Sequence, residues 1–280
     1  MKKLALILFF SFVAVFAEKY EWGNVRFDGG GFVNAVLFHP KQENLLYART
    51  DVGGVYRYNF EESKWVPLTD WISQKDVGLY GAEAFAIDPT DPKRVYVLAG
   101  TGYFNDGRTA ILRSENYGES WDTSYVEFFA HGNGMGRQTG EKLVVDPNMP
   151  NILFCGSRTK GLFKSTDYGK SWTNVYEVAL SSATGNGLTN VNGISFVLFD
   201  ETQGKNADGS SKVLYMGISE TSDNLYVSKD GGATWNLISG GPANLMPNRA
   251  KIAEGNLYLT YSSSPGPHSV SKGAIYKYNI

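Results

Sequence analysis

Asp51 is the residue whose type and setting most invite a chemical reading. It ends the apolar run Leu45-Leu-Tyr-Ala-Arg-Thr50 and stands just ahead of Gly53 and Gly54. That places a carboxylate at a strand end, where backbone lacking Cβ atoms lets a ligand approach closely. The same residue has a plainer reading as a turn-former that accepts backbone N–H groups. A Gly-rich segment, Gly132-Asn-Gly-Met-Gly-Arg137, offers a polar pair in Asn133 and Arg137, and Glu83, Asp106 and Glu141 are further carboxylates. Other chemistries find no support. His39, His131 and His268 show no metal-ligand spacing, and the single Cys155 leaves no intrachain disulfide, redox pair or Cys-rich zinc site. There is no Gly-x-Ser-x-Gly elbow, and the glycines at 132, 134 and 136 are not followed by the pattern of a dinucleotide fold. Neither metal nor cofactor is expected. Lys and Arg number 26 against 28 Asp and Glu, a net charge of −2, so no basic field exists to hold a nucleic acid.

The elements that must position these residues are written as a repeat. Three segments share Ser-x-(Asp/Asn)-x-Gly-x-(Ser/Thr)-Trp: Ser114 to Trp121, Ser165 to Trp172 and Ser228 to Trp235. A degenerate copy runs from Gly54-Val-Tyr-Arg-Tyr58 through a polar turn to Trp65. Each follows a short strand pattern, and its Asp or Asn with a Gly supplies the acceptor and the positive φ that reverse the chain. The Trp is expected to pack its ring over the hairpin. Upstream of the copies lies a second theme, an apolar strand, an Asp-Pro or His-Pro turn and another strand, as at His39-Pro40, Asp88-Pro89 and Asp146-Pro147. Tryptophans spaced about 57 residues apart, with about four short strands per repeat, describe a propeller blade. The fold class is all-β, a β-propeller. The Asp of each box is assigned to folding. Asp51 differs from Asn116, Asp167 and Asp230 in lying before the hairpin strand rather than in its turn.

The first residues read as an address. Lys2 and Lys3 precede an apolar run from Leu4 to Phe16, shorter than the roughly 20 residues of a spanning helix. A signal peptide over 1–17, cleaved near Ala17, and a secreted mature domain over 18–280 are expected, with no membrane partner.

The strings Tyr20-Glu-Trp-Gly-Asn-Val25, Gly29-Gly-Gly-Phe-Val33, Tyr47-Ala-Arg-Thr-Asp-Val-Gly-Gly54, Leu68-Thr-Asp-Trp71, Gly132-Asn-Gly-Met-Gly-Arg137 and Gly140-Glu-Lys-Leu-Val-Val-Asp-Pro147 resemble glycoside hydrolase family 74. The resemblance implies a secreted, inverting hydrolase of β-1,4-glucan backbones, xyloglucan or related β-glucans, built of two seven-bladed propellers that clasp the polysaccharide. It maps the catalytic base onto Asp51 and places the general acid in the second propeller. That reaction needs two carboxylates about 6.5–9.5 Å apart, and no string here matches the acid. The chain is therefore expected to carry four to five blades of a seven-bladed propeller, to lack the second propeller domain and to be inactive alone. Sugar rings stack on exposed aromatics, which nominates Trp71, Tyr80 and Tyr103, with Asn133 and Arg137 as hydroxyl ligands. Arg137 has a second reading, an ion pair with Glu141. The loop Gly100 to Gly107 departs from the tryptophan-bearing loop of the family. The alternative function is a non-catalytic Asp-box propeller that binds glycan or protein.

Overall fold

The computed structural model describes residues 29–104, 107–178 and 191–280. The expected signal peptide, Trp22 and Asp106 lie outside the described residues. Five antiparallel sheets follow one another along the chain. The first holds β1 (Val33–Phe38), β2 (Leu46–Thr50), β3 (Val55–Asn59) and β4 (Lys64–Pro67). The second holds β5 (Ala82–Ile87), β6 (Val95–Gly100), β7 (Thr109–Ser114) and β8 (Asp122–Val126). The third holds β9 (Leu143–Val145), β10 (Leu153–Gly156), β11 (Leu162–Ser165) and β12 (Thr173–Tyr176). The fourth holds β13 (Ile194–Lys205), β14 (Ser211–Ile218), β15 (Leu225–Ser228) and β16 (Asn236–Leu237), and the fifth β17 (Met246–Ala253), β18 (Asn256–Ser262) and β19 (Gly273–Asn279). Each sheet runs in simple up-and-down order, and the first strands of the last four meet in sequence, β5 with β9, β9 with β13 and β13 with β17. That is the arrangement of propeller blades around an axis. The fifth blade has three strands here.

Turn chemistry explains both repeated themes. In the third blade the Asp167 carboxylate accepts from the Lys170 and Ser171 N–H groups and from the Ser165 and Ser171 hydroxyls. Burial alone would raise its pKa, but these donors hold it at about 2. The Ser165 hydroxyl in turn accepts the Gly169 N–H, and Ser114 and Ser228 repeat that bond with Gly118 and Gly232. The proline-turn theme uses the same geometry at the other hairpin. Asp88 and Asp146 each accept two N–H groups, two and three residues on, and His39 does so with Nδ1 at 3.1 and 2.8 Å. The His ring thus substitutes for a carboxylate, while its Nε2 meets the Asp88 carbonyl of the next blade at 3.1 Å. Truncating Asp167 to Ala removes one acceptor from four donors. It should lower stability by about 1–2 kcal/mol, measured as a shift of the urea midpoint at unchanged slope.

The box tryptophans do more than cover their own hairpins. Trp121 Nε1 donates to the Leu68 carbonyl of the preceding blade at 2.8 Å, and its ring packs on the apolar seam between the first two blades. Trp172 and Trp235 pack in the same way on the next two seams. In the first and third blades a cation on the third strand reaches across as well. Arg57 donates to the Tyr117 carbonyl and Lys164 to the Gly231 carbonyl, both in the box of the following blade. The repeat is therefore an inter-blade joint, which is why its period matches the blade.

Candidate active site

In an up-and-down blade the first-to-second and third-to-fourth turns share one end, and the second-to-third loops and blade links share the other. The Asp boxes and proline turns occupy the first end. Asp51 follows a second strand, Trp71 and Tyr80 lie in the β4–β5 link, Tyr103 follows β6, and Asn133 and Arg137 lie between β8 and β9. All the residues nominated from sequence thus fall on the end opposite the boxes. This is the physical content of the different position of Asp51.

The segment Thr50 to Gly54 is built to aim one side chain. Thr50 Oγ1 donates to the Gly54 carbonyl and accepts the Gly53 N–H at 2.8 Å, closing the turn. Gly54 has φ +80°, and a Cβ on Gly53 would enter the Gly30 carbonyl. The Gly29–Gly31 segment is laid alongside, so the Phe32 N–H reaches Asp51 Oδ1 at 2.7 Å and the Asp51 N–H returns to the Phe32 carbonyl at 3.1 Å. Arg137 Nε stands 3.2 Å from Asp51 Oδ2. This is charge contact without a well-aligned hydrogen bond, because Nε makes none. Asp51 is buried, only 6% exposed.

The two other described carboxylates nominated from sequence are committed elsewhere. Glu141 accepts Arg49 Nε at 2.9 Å and the Phe85 N–H at 2.7 Å, so Arg49, not Arg137, is its cation. Glu83 binds Lys142 Nζ and Arg158 Nε, each at 2.8 Å, in a fully buried triad. Burial alone would raise the Glu83 carboxyl, but Arg158 and Lys142 outweigh it and hold it at about 2. A carboxylate so paired is a poor proton donor. Lys142 is pushed down to about 8 by burial, against the pull of Glu83. His131 lies over the same cluster. Burial, reinforced by Arg158, brings it down to about 4, so the ring is neutral. Its Nδ1 accepts the Gly102 N–H, leaving the proton on Nε2.

The aromatic candidates divide by exposure. Trp71 is 49% and Tyr103 62% exposed, and Tyr103 rests edge-on against His131 with centroids 4.7 Å apart. Tyr80 packs on the seam between the first two blades, beside the Gly54 backbone. Asn133 offers its carbonyl to Arg137 at 3.4 Å.

Residues 162–175, spanning β11 and its turn, match the BNR-Asp box repeat family. A xyloglucanase of Paenibacillus sp is 38% identical over 273 residues, covering 94% of this chain and 26% of its own length. The crystal structure of the family 74 xyloglucanase from Xanthomonas campestris aligns with a TM-score of 0.85 at 40% identity, over 93% of this chain and 38% of that one. The family 74 enzyme of Niastella koreensis gives 0.81 at 42% identity, over 92% and 37%. Over more than nine-tenths of its length the chain is similar to glycoside hydrolase family 74 enzymes. It spans between 26% and 38% of the lengths of these relatives.

The buried Glu83–Lys142–Arg158 cluster and the Arg49–Glu141 pair are what sequence reading missed as a framework. Glu83 and Glu141 look in sequence like free carboxylates on strands. Their partners lie between 59 and 92 residues away, beyond any local pattern. One local signal exists: β2 runs as a buried strand that still contains Arg49, and a buried arginine requires an anion.

Proposed function

We propose that this chain supplies the base-bearing part of a secreted, inverting glycoside hydrolase that cleaves β-1,4-glucan backbones such as xyloglucan. One observation carries the reading. Asp51 is a pre-oriented carboxylate at the loop end of the blades, fixed by the Phe32 N–H and the Arg137 cation. A general base must be a carboxylate held in a fixed orientation toward the water it activates. Trp71 and Tyr103, both exposed on that end, are the proposed sugar platforms. Neither Glu83 nor Glu141 suits the general acid, since cations engage both. The acid is accordingly assigned to a second propeller in the intact enzyme, facing the same polysaccharide. Export rests on the Lys-led apolar run ahead of Ala17. Among the described residues no helix is long and apolar enough to cross a membrane.

Inversion has a direct test. When the complete gene product hydrolyses xyloglucan oligosaccharides, proton NMR in the first minutes should show the α-anomer of the new reducing end, before mutarotation mixes it. A β-anomer at that stage indicates retention and a covalent intermediate, which excludes the proposed role for Asp51.

A further inference from the structure

Arg137 touches Asp51, and its guanidinium also lies 5.7 Å from the centre of the Phe32 ring, on the segment that holds the other Asp51 oxygen. Its Nη1 reaches only the carbonyls of Asn133 and Gly134, at 3.4 and 3.3 Å, inside its own loop. Apart from the Phe32 ring, the guanidinium is placed by the segment 131–137 that carries it.

That segment is held from below by charge. Arg158, with no exposed surface, donates Nη2 to the His131 carbonyl and Nη1 to the Met135 carbonyl, both at 2.9 Å. Its Nη1 also reaches the Val191 carbonyl at 2.7 Å, and its Nε binds Glu83. The same oxygen closes the ring: Glu83 Oε2, which accepts Arg158 Nε, also accepts the His131 N–H at 2.7 Å. A Cβ on Gly134 would collide with the Arg158 guanidinium, so the loop rests directly on it. Two more arginines fix the far end. Arg49 Nη1 donates to the Arg137 carbonyl at 3.2 Å, and Arg249 from the fifth blade donates to the Gln138 carbonyl at 2.7 Å. Arg49 and Arg158 are fully buried, and taking a cation out of water is costly before it is paired, so apolar packing would hold a plain loop at less expense.

We propose that Arg137 is a positioning residue for the Asp51 carboxylate, held on target by the buried Arg158–Glu83 pair beneath its loop. With Oδ1 fixed by the Phe32 N–H and Oδ2 faced by Arg137, the carboxylate plane is set, and so is the direction from which it takes a proton from water. Arg137 then acts on turnover, not on sugar affinity. The inference rests on the reading of Asp51 as the base.

The test measures kcat and KM on xyloglucan for variants of the complete gene product. Arg137→Ala should lower kcat by about 10- to 100-fold, the scale of a small misplacement of a reacting group. KM should stay within about two-fold. Arg137→Lys should recover part of the loss, and Arg158→Lys, which keeps a charge beside Glu83 but loses the fork to the carbonyls, should lower kcat by about 10-fold. Adding Arg137→Ala to Asp51→Asn should slow the enzyme no further, because the arginine works through the carboxylate. A raised KM with unchanged kcat in Arg137→Ala makes Arg137 a sugar ligand and overturns the proposal. So does an additive double variant. Wild-type kcat in Arg158→Lys removes the supporting pair from it. Full activity in Asp51→Asn would instead defeat the base assignment itself, and that outcome is read from a different variant.

Discussion

Asp51→Asn should reduce reducing-sugar release from xyloglucan by about 10²- to 10⁴-fold in the complete gene product, the range lost with a general base. The substitution is nearly isosteric. Its Oδ1 can still accept the Phe32 N–H that Asp51 accepts at 2.7 Å, and the turn closed by Thr50 does not involve the carboxylate. Thermal unfolding should therefore move little, while kcat collapses with KM almost unchanged. Asp51→Ala should be as inactive, and less stable, since it also strips the Phe32 N–H of its partner in a buried position. An undiminished rate in either variant would return Asp51 to its plainer reading as a turn-former.

The second large effect concerns stability. Glu83→Gln should destabilise the chain by about 3–5 kcal/mol, because it leaves Lys142 and Arg158 buried without a countercharge. Lys142→Met should cost much less. Glu83 keeps Arg158, and the lysine is already under pressure to lose its proton, with a pKa of about 8. The triad also fixes a pH dependence. Glu83 is held at about 2 in the folded chain against an ordinary 4.5. Its folded value is depressed, so its contribution, about 3 kcal/mol by linkage, is complete above pH 4.5. It is lost as pH falls from there through 2. Urea unfolding between pH 6 and pH 2 should show that loss in the wild type and a flatter profile in Glu83→Gln. Parallel profiles would mean that the triad is not the acid-sensitive element.

Much of the fold was legible in sequence because its information is local. The box residues Ser114, Asn116 and Gly118 bond within four positions of each other, so spacing alone announces the turn. The proline turns are equally short, and His39 shows that the turn needs an acceptor at the right place rather than an acid. The role of the tryptophans was half legible. Their recurrence gave the blade period, while the partner of Trp121 is Leu68, 53 residues earlier, which no periodicity reveals. The same limit applies to Arg137. Sequence offered Glu141, four residues away, as its anion, and the structure gives it Asp51, with Glu141 turned to Arg49.

By itself, then, the sequence determined the all-β class, the blade repeat, the identity of the strand-end carboxylate and the relationship to family 74, since each is written in residues that touch near neighbours or recur in order. Only the tertiary structure decided which charges pair, that Glu83 and Glu141 are structural anions, and that Arg137 faces Asp51. Those outcomes depend on which strand ends the blades bring together. A buried ion must take the counterion within a few ångströms of it, however distant that partner is along the chain.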